Sequence, residues 1–251
     1  MIALSDNDAK DGLNMKVIVD TPEGIAKQAA AIYQEILKDK PNAVLGFATG
    51  STPLDLYAQL IKLYEAGEIS FKDVTTFNLD EYVGLDGNHD QSYRYFMDHN
   101  LFDHIDIDKS RTRVPSGIDV SDPAAYDKEI EAAGGVDLQL LGIGNNGHIG
   151  FNEPGTPFGS LTHIVELTES TREANKRFFS SIDEVPTHAV TMGIKTVMQA
   201  RSIILMAIGP AKAPIMKEML QGPVTEKVPA SVLQLHPDVT VYMDYEAAKL
   251  L

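Results

Sequence analysis

Apolar positions along the chain follow two rhythms. Short, nearly continuous runs at Ala43–Ala48, Val136–Leu141 and Ile203–Ile208 read as strands buried on both faces. Between such runs the apolar residues recur at helical spacing. Ile25, Ala29, Ile32 and Ile36 follow Thr21-Pro22-Glu23, a helix start with a capping hydroxyl and a proline in the first turn. The same pattern predicts strands at Lys16–Val19, Val74–Asn78, His188–Met192, Ser202–Ile208 and Val239–Met243. It predicts helices at Pro53–Tyr64, Ser92–Phe102, Asp122–Ala132 and Ala211–Leu220.

Strands alternating with helices imply right-handed crossovers. The expected fold is therefore α/β: a doubly wound, mostly parallel sheet with helices on both faces, Rossmann-like in outline. Residues 15–251 are expected to form a single catalytic domain. Residues 1–14 are polar and aperiodic and read as a leader, disordered or loosely attached. No internal repeat or low-complexity tract interrupts the pattern.

The rhythm breaks most sharply at Gly142–Gly159, the stretch richest in glycine and proline. It follows the strand at Val136–Leu141 and contains Asn145-Asn146-Gly147-His148-Ile149-Gly150-Phe151-Asn152-Glu153-Pro154. An imidazole and a carboxylate five residues apart, at the end of a buried strand, suit acid/base chemistry at the carboxyl edge of a sheet. Gly142-Ile143-Gly144-Asn145-Asn146-Gly147 also matches G-x-G-x-x-G. A dinucleotide site would need a helix to open there, and Gly150, Pro154, Gly155 and Pro157 forbid a long one. The reading is therefore a loop that brings backbone close to a small ligand, with no dinucleotide site. A polar loop without chemistry is the plainer alternative. As a metal site, His148 and Glu153 lack a third ligand nearby.

Two further strand ends carry candidate chemistry. Thr49-Gly50-Ser51-Thr52-Pro53 joins a buried strand to a helix, so free helix N–H groups, hydroxyls and a glycine form an anion site or a plain capped turn. It lacks the Gly-Lys-Ser/Thr of a Walker A loop. Asp80 and Glu81 follow the strand at Val74–Asn78. One of them is a candidate general base, although an Asp-Glu pair more commonly ends as solvated loop acids. Arg177 and Lys212 are the candidate cations; each taken alone is more often a surface charge.

Composition narrows these choices. The 251-residue chain carries 21 Lys and Arg against 36 Asp and Glu, a net charge of −15. Nucleic acid and anionic membranes are poor partners for such a surface. A phosphate ligand would need local positive potential, which gives Arg177 and Lys212 added weight as clamps. The absence of cysteine excludes disulfides, thiolate metal sites and a cysteine nucleophile. No apolar run reaches membrane-spanning length, and the polar start is unlike a signal peptide. A cytoplasmic location is expected.

Together these segments resemble the glucosamine-6-phosphate deaminases, the glucosamine-6-phosphate isomerase family. The resemblance rests on Thr49–Pro53, on Phe77-Asn78-Leu79-Asp80-Glu81-Tyr82-Val83-Gly84-Leu85, on Gly144–Pro154, on Thr171-Arg172 and Arg177-Phe178-Phe179, and on Leu233-Gln234-Leu235-His236-Pro237. It implies conversion of glucosamine 6-phosphate and water to fructose 6-phosphate and ammonia, without a cofactor or a metal. It also implies Asp80 as the base of the isomerisation, and Asn146, His148 and Glu153 as the ring-opening group. Phosphate would rest on Gly50, Ser51 and Thr52 with Arg177 and Lys212 as clamps. Many members carry aspartate where this chain has Asn146; an amide can orient the imidazole by a hydrogen bond but cannot balance its positive charge. Glu153 is expected to supply that charge and to orient the ring.

The positions that bind an activator in hexameric members correspond to His163 and Val165, and Leu251 closely follows the last strand. A non-allosteric monomer is expected. Two rivals remain: a 6-phosphogluconolactonase-like hydrolase, which has no use for a C2 base, and a non-catalytic sugar-phosphate sensor. A sensor calls for a DNA-binding module, and none is read before residue 15.

Overall fold

A computed structural model describes residues 2–3, 15–176 and 179–251. Seven parallel strands form the main sheet: β2 (Met15–Asp20), β3 (Val44–Phe47), β4 (Thr75–Asn78), β6 (Thr112–Arg113), β7 (Leu138–Leu141), β10 (Ser202–Ala207) and β11 (Val239–Asp244). Their spatial order is β2-β11-β10-β7-β3-β4-β6. Ile2–Ala3, within the expected leader, form a short edge strand β1 antiparallel to β2. Residues 4–14 of that leader lie outside the described residues.

Chain order and spatial order together locate a switch point. From β3 the chain moves outward through β4 to β6; from β7 it moves the other way to β10 and β11. The loops leaving β3 and β7 therefore part company at neighbouring strand ends, where open α/β sheets form ligand crevices. Right-handed crossovers place α1 (Pro22–Asp39), α2 (Leu54–Glu65) and α3 (Tyr93–Asn100) on one face. The same rule places α4 (Ala125–Ala132), α6 (Ile194–Met198) and α7 (Ala213–Gln221) on the other. With both faces covered, Val44–Phe47 and Leu138–Leu141 are buried at every position. That is why these strands read as continuous apolar runs.

The expected start at Thr21 is present: its hydroxyl accepts the Gly24 N–H at 3.1 Å and Pro22 opens α1. Among the elements not expected from the pattern are β6, the strand β8 (His163–Glu166) and the helices α5 (Glu169–Asn175) and α6, all too short to establish a period. A second, antiparallel sheet was also hidden. It runs β5 (Asp80–Tyr82), β9 (His188–Thr191), β8. β5 continues almost directly from β4, so the residues read as a loop after a strand are a strand of another sheet. A small core of Tyr82, Phe151, Leu167 and Ala189 packs against this sheet, apart from the main one.

Candidate active site at the carboxyl edge of the sheet

The turn after β3 is held before any ligand arrives. The Tyr57 hydroxyl, fully buried on α2, bonds the Ala48 carbonyl and accepts the Ala48 N–H at 3.3 Å. The chain then turns through Gly50-Ser51-Thr52 into α2. No side chain caps that helix, and the Ser51 and Thr52 hydroxyls make no hydrogen bond among the described residues. The plain capped turn is therefore not what forms. Idle hydroxyls and open first-turn N–H groups are what an anion needs.

The neighbouring strand end, after β7, carries the imidazole. No helix opens after Gly142-Ile143-Gly144, so the dinucleotide context is missing. Gly144 has another purpose: a Cβ there would overlap the His148 ring, which lies directly against this backbone. Asn146 stands between His148 and Glu153. Its Nδ2 donates to Glu153 Oε2 at 2.5 Å, and its Oδ1 lies 2.8 Å from His148 Nδ1. The first contact fixes the amide's orientation, since a carboxylate only accepts. Oδ1 must then face the imidazole, so Nδ1 carries the proton and Nε2 presents a lone pair.

Glu153 itself lies 3.6 Å from His148 Nδ1 and accepts from the Thr171 hydroxyl on α5 at 2.9 Å. Burial works to raise its pKa, but the hydrogen bonds and charge of His148, with Asn146 and Thr171, together hold it below the ordinary carboxylate value. Orientation of the ring thus falls to Asn146 in direct contact, with the charge one bond further away.

Asp80 and Glu81 are neighbours with opposite surroundings, as alternation along a strand requires. Asp80 is 7% exposed and makes no hydrogen bond or ion pair among the described residues. A Cβ built on Gly150 would lie 3.6 Å from its Oδ2, 3.5 Å from Asn152 Nδ2 and 2.8 Å from Thr191 Oγ1. Gly150, at φ +57°, thus keeps open a space beside the Asp80 carboxyl. Burial, then the nearby Glu81 charge, raises Asp80 to about 8. Glu81 instead accepts three backbone N–H groups, from Tyr82 at 2.8 Å, Tyr93 at 2.9 Å and Arg94 at 3.0 Å. Of the pair, Asp80 alone is left free to act on a ligand.

The two loops are joined through β9. Thr191 stands opposite Asp80 in the strand register, and its hydroxyl accepts the Phe151 N–H at 3.1 Å. Lys212 opens α7 after β10. Its ammonium is held by the Ile143 carbonyl at 2.7 Å, and burial lowers its pKa. It makes no ion pair among the described residues. Asp80, Asn146, His148, Glu153, Gly50, Ser51, Thr52 and Lys212 are thus all carried by strand ends or loops of one edge. Arg177 lies outside the described residues. A groove of about 680 Å³, lined by Lys38, Pro41, Ile69 and Lys72, belongs to the opposite, amino-terminal edge and is far from this chemistry. Among the described residues no group of three or more His, Asp or Glu side chains is arranged to hold a metal ion.

Comparison with known proteins gives the chain's family. Residues 20–242 match the family described as glucosamine-6-phosphate isomerases/6-phosphogluconolactonase. The glucosamine-6-phosphate deaminase of Thermoanaerobacter pseudethanolicus is 55% identical over 94% of this chain and 95% of its own. That of Clostridium perfringens is 52% identical over 94% of this chain and 98% of its own. The chain belongs to this family. A solved monomeric glucosamine-6-phosphate deaminase superposes with a TM-score of 0.90 at 46% identity, covering 94% of this chain and 99% of that one. The 6-phosphogluconolactonase of Trypanosoma brucei shares the fold at a TM-score of 0.77 and 20% identity.

Within the family motif Leu233–Pro237, the polar residues turn out to be supports. Gln234 Nε2 donates to the Met219 carbonyl at 2.7 Å and the Gly222 carbonyl at 3.1 Å, fastening the end of α7. His236 is 1% exposed; its Nε2 bonds the Ala200 carbonyl at 2.8 Å and its Nδ1 accepts the Asp238 N–H at 3.1 Å. Arg172, the described arginine of the other motif, donates to the carbonyls of Ile182 at 2.9 Å and Val185 at 3.2 Å. Thr191 and Tyr57 are site neighbours that sequence reasoning passed over, and Thr171 entered it only as part of a matched segment, with no role. Only Thr171 left a trace, in the Thr168-x-x-Thr171 spacing of a capped helix start, where the Thr168 hydroxyl accepts the Thr171 N–H at 3.2 Å.

Proposed function

We infer that the chain converts glucosamine 6-phosphate and water to fructose 6-phosphate and ammonia. The observation that carries this reading is the pairing of two acid/base groups at one sheet edge, in a member of this family: a buried, unpartnered Asp80 and an imidazole held in one tautomer by Asn146. The reaction needs both. C2 of the sugar becomes acidic only beside a free carbonyl, so the ring must open first. His148 Nε2 takes the anomeric hydroxyl proton and returns it to the ring oxygen as the C1–O5 bond breaks. Asn146 keeps Nε2 available, and Glu153 supplies negative charge one residue away when the imidazole is protonated.

Asp80 then removes the C2 proton while the C1 carbonyl oxygen gains the proton that the C2 ammonium gives up, forming an enolamine; Asp80 returns its proton to C1, and the double bond moves to the C2–N position. Water adds to the resulting iminium carbon and ammonia leaves. Asp80 is protonated near neutrality in the free protein, and the ammonium at C2 of the bound sugar favours its ionised form. The phosphate rests on the Gly50-Ser51-Thr52 turn with Lys212 and Arg177 as clamps. The 46%-identical monomeric neighbour supports a monomer.

The test is direct. Purified protein given glucosamine 6-phosphate should release ammonia and fructose 6-phosphate in equal amounts, and should not hydrolyse 6-phosphogluconolactone. Lactone hydrolysis without ammonia release would transfer the chain to the other branch of the family. For the phosphate clamp, Lys212→Ala should raise KM by about 10- to 100-fold, the equivalent of one charge-assisted hydrogen bond worth about 1.5–3 kcal/mol, with a much smaller change in kcat. An unchanged KM would remove Lys212 from the site.

A further inference from the structure

The Asp80 mechanism leaves its neighbour unexplained. Glu81 is 2% exposed, beside the base, and has no function in the chemistry above. A buried carboxylate without a role would be costly to keep. Its surroundings are specific. From α3 it receives the N–H groups of Tyr93 and Arg94, and from its own strand that of Tyr82. From β9 the opposite residue is Val190, which brings no charge. From the other side Gly117 closes over it, and a Cβ there would lie 3.4 Å from Glu81 Cγ. The Arg94 guanidinium turns away, to Thr112 Oγ1 at 2.7 Å and Asp98 at 3.4 Å. No cationic side chain pairs with Glu81 among the described residues. Its charge is met by N–H dipoles alone, two of them at the first turn of a helix.

We propose that Glu81 is a positioning residue for the Asp80 base: its buried carboxylate fastens β5 to the first turn of α3, and its negative charge, paired with no cation among the described residues, acts on Asp80 from the far side of the strand. The inference rests on the assignment of Asp80 as base. Two consequences follow. The fastening sets where the Asp80 carboxyl stands relative to Gly150 and Thr191. The charge strengthens Asp80 as a proton acceptor, because a second anion nearby resists loss of its proton. The other ionisable groups that face Asp80 are Tyr82, Tyr93 and Tyr126, all of whose hydroxyls burial keeps neutral across the working range. Among the described residues Glu81 is thus the acid beside Asp80 whose charge changes as pH falls through about 6.

The experiment compares kcat/KM of Glu81→Gln and wild type at pH 7 and pH 9. At pH 7 Glu81 is mostly charged in the wild type; with that charge removed Asp80 ionises at lower pH, so the ratio of variant to wild type should be about threefold or more higher at pH 7 than at pH 9. Glu81→Asp keeps the charge but shortens the reach to α3. It should lower kcat without that pH dependence. Equal ratios at both pH values for Glu81→Gln would mean a purely structural role and overturn the proposal. If Glu81→Gln does not fold, carboxyl-carbon NMR of the wild-type protein decides. Asp80 should then titrate with an inflection at the ionisation of Glu81, and a single independent step would sink the idea. The NMR reading needs no turnover, so it separates failure of this proposal from failure of Asp80 as the base. Wild-type protein that releases no ammonia at any pH would count against the latter.

Discussion

Replacing Asp80 with asparagine should abolish ammonia release and at the same time make the protein harder to unfold. The activity loss follows from removing the group proposed to carry a proton from C2 to C1; general base catalysis of this kind is worth about 10²- to 10⁴-fold. The stability gain follows from where Asp80 stands. Its carboxyl is buried without a hydrogen bond, and burial with the Glu81 charge raises it from 3.8 to about 8. A raised acid supports the fold fully only below its ordinary pKa, because there it is neutral in both states. As pH rises the unfolded chain loses the proton first, and stability falls until the folded group also ionises near 8. Each pH unit in that window costs the wild type up to about 1.4 kcal/mol. Asparagine has no proton to lose. Urea unfolding at pH 5 and pH 9 should therefore show the variant ahead at both, with the larger margin at pH 9. A variant less stable than wild type at pH 9 would mean that Asp80 has partners in the fold. That pattern, activity gained at the expense of stability, is what a strained functional group produces.

Replacing His148 with alanine should be the second large loss, of about 10²-fold or more in kcat/KM. It should also have a signature that Asp80→Asn lacks. Sugars open their rings slowly without help, so a variant with an intact base still consumes whatever open chain the solution supplies. At high enzyme concentration the rate with His148→Ala should stop rising with added enzyme, limited by ring opening in solution. If the rate instead stays proportional to enzyme without limit, His148 does not open the ring. The two losses together assign the two proton transfers to different parts of the site.

The main sheet was legible because its strands are buried on both faces and so read as uninterrupted apolar runs. The turn at Gly50-Ser51-Thr52 and the glycine-rich loop were legible because turn chemistry is written in residue types. The small antiparallel sheet was not. Asp80–Tyr82 is too short to show alternation, and its partners lie more than a hundred residues away at His188–Thr191. Nothing local in the sequence shows that Asp80 would be enclosed while Glu81 is spent on helix N–H groups; that difference arises from strand pairing alone. For the same reason Thr191 carried no signal, although it joins the two loops. The expectation that Glu153 orients the imidazole directly meets a different arrangement, because the amide of Asn146 fits between them.

That amide has a chemical lifetime. Asparagine followed by glycine is the sequence in which a backbone nitrogen most easily attacks the side-chain amide, closes a five-membered imide and leaves aspartate or isoaspartate behind. Asn146-Gly147 is such a pair. Closure requires the Gly147 nitrogen to swing onto the Asn146 amide carbon. In the fold that nitrogen donates to the Gly144 carbonyl at 2.9 Å, while the amide is held at both ends by Glu153 and His148. The contacts that set the imidazole's tautomer therefore also hold the amide away from its own decay. Each loosening of the loop, by heat or by loss of Glu153, exposes the enzyme to slow ageing at the residue that orients its histidine.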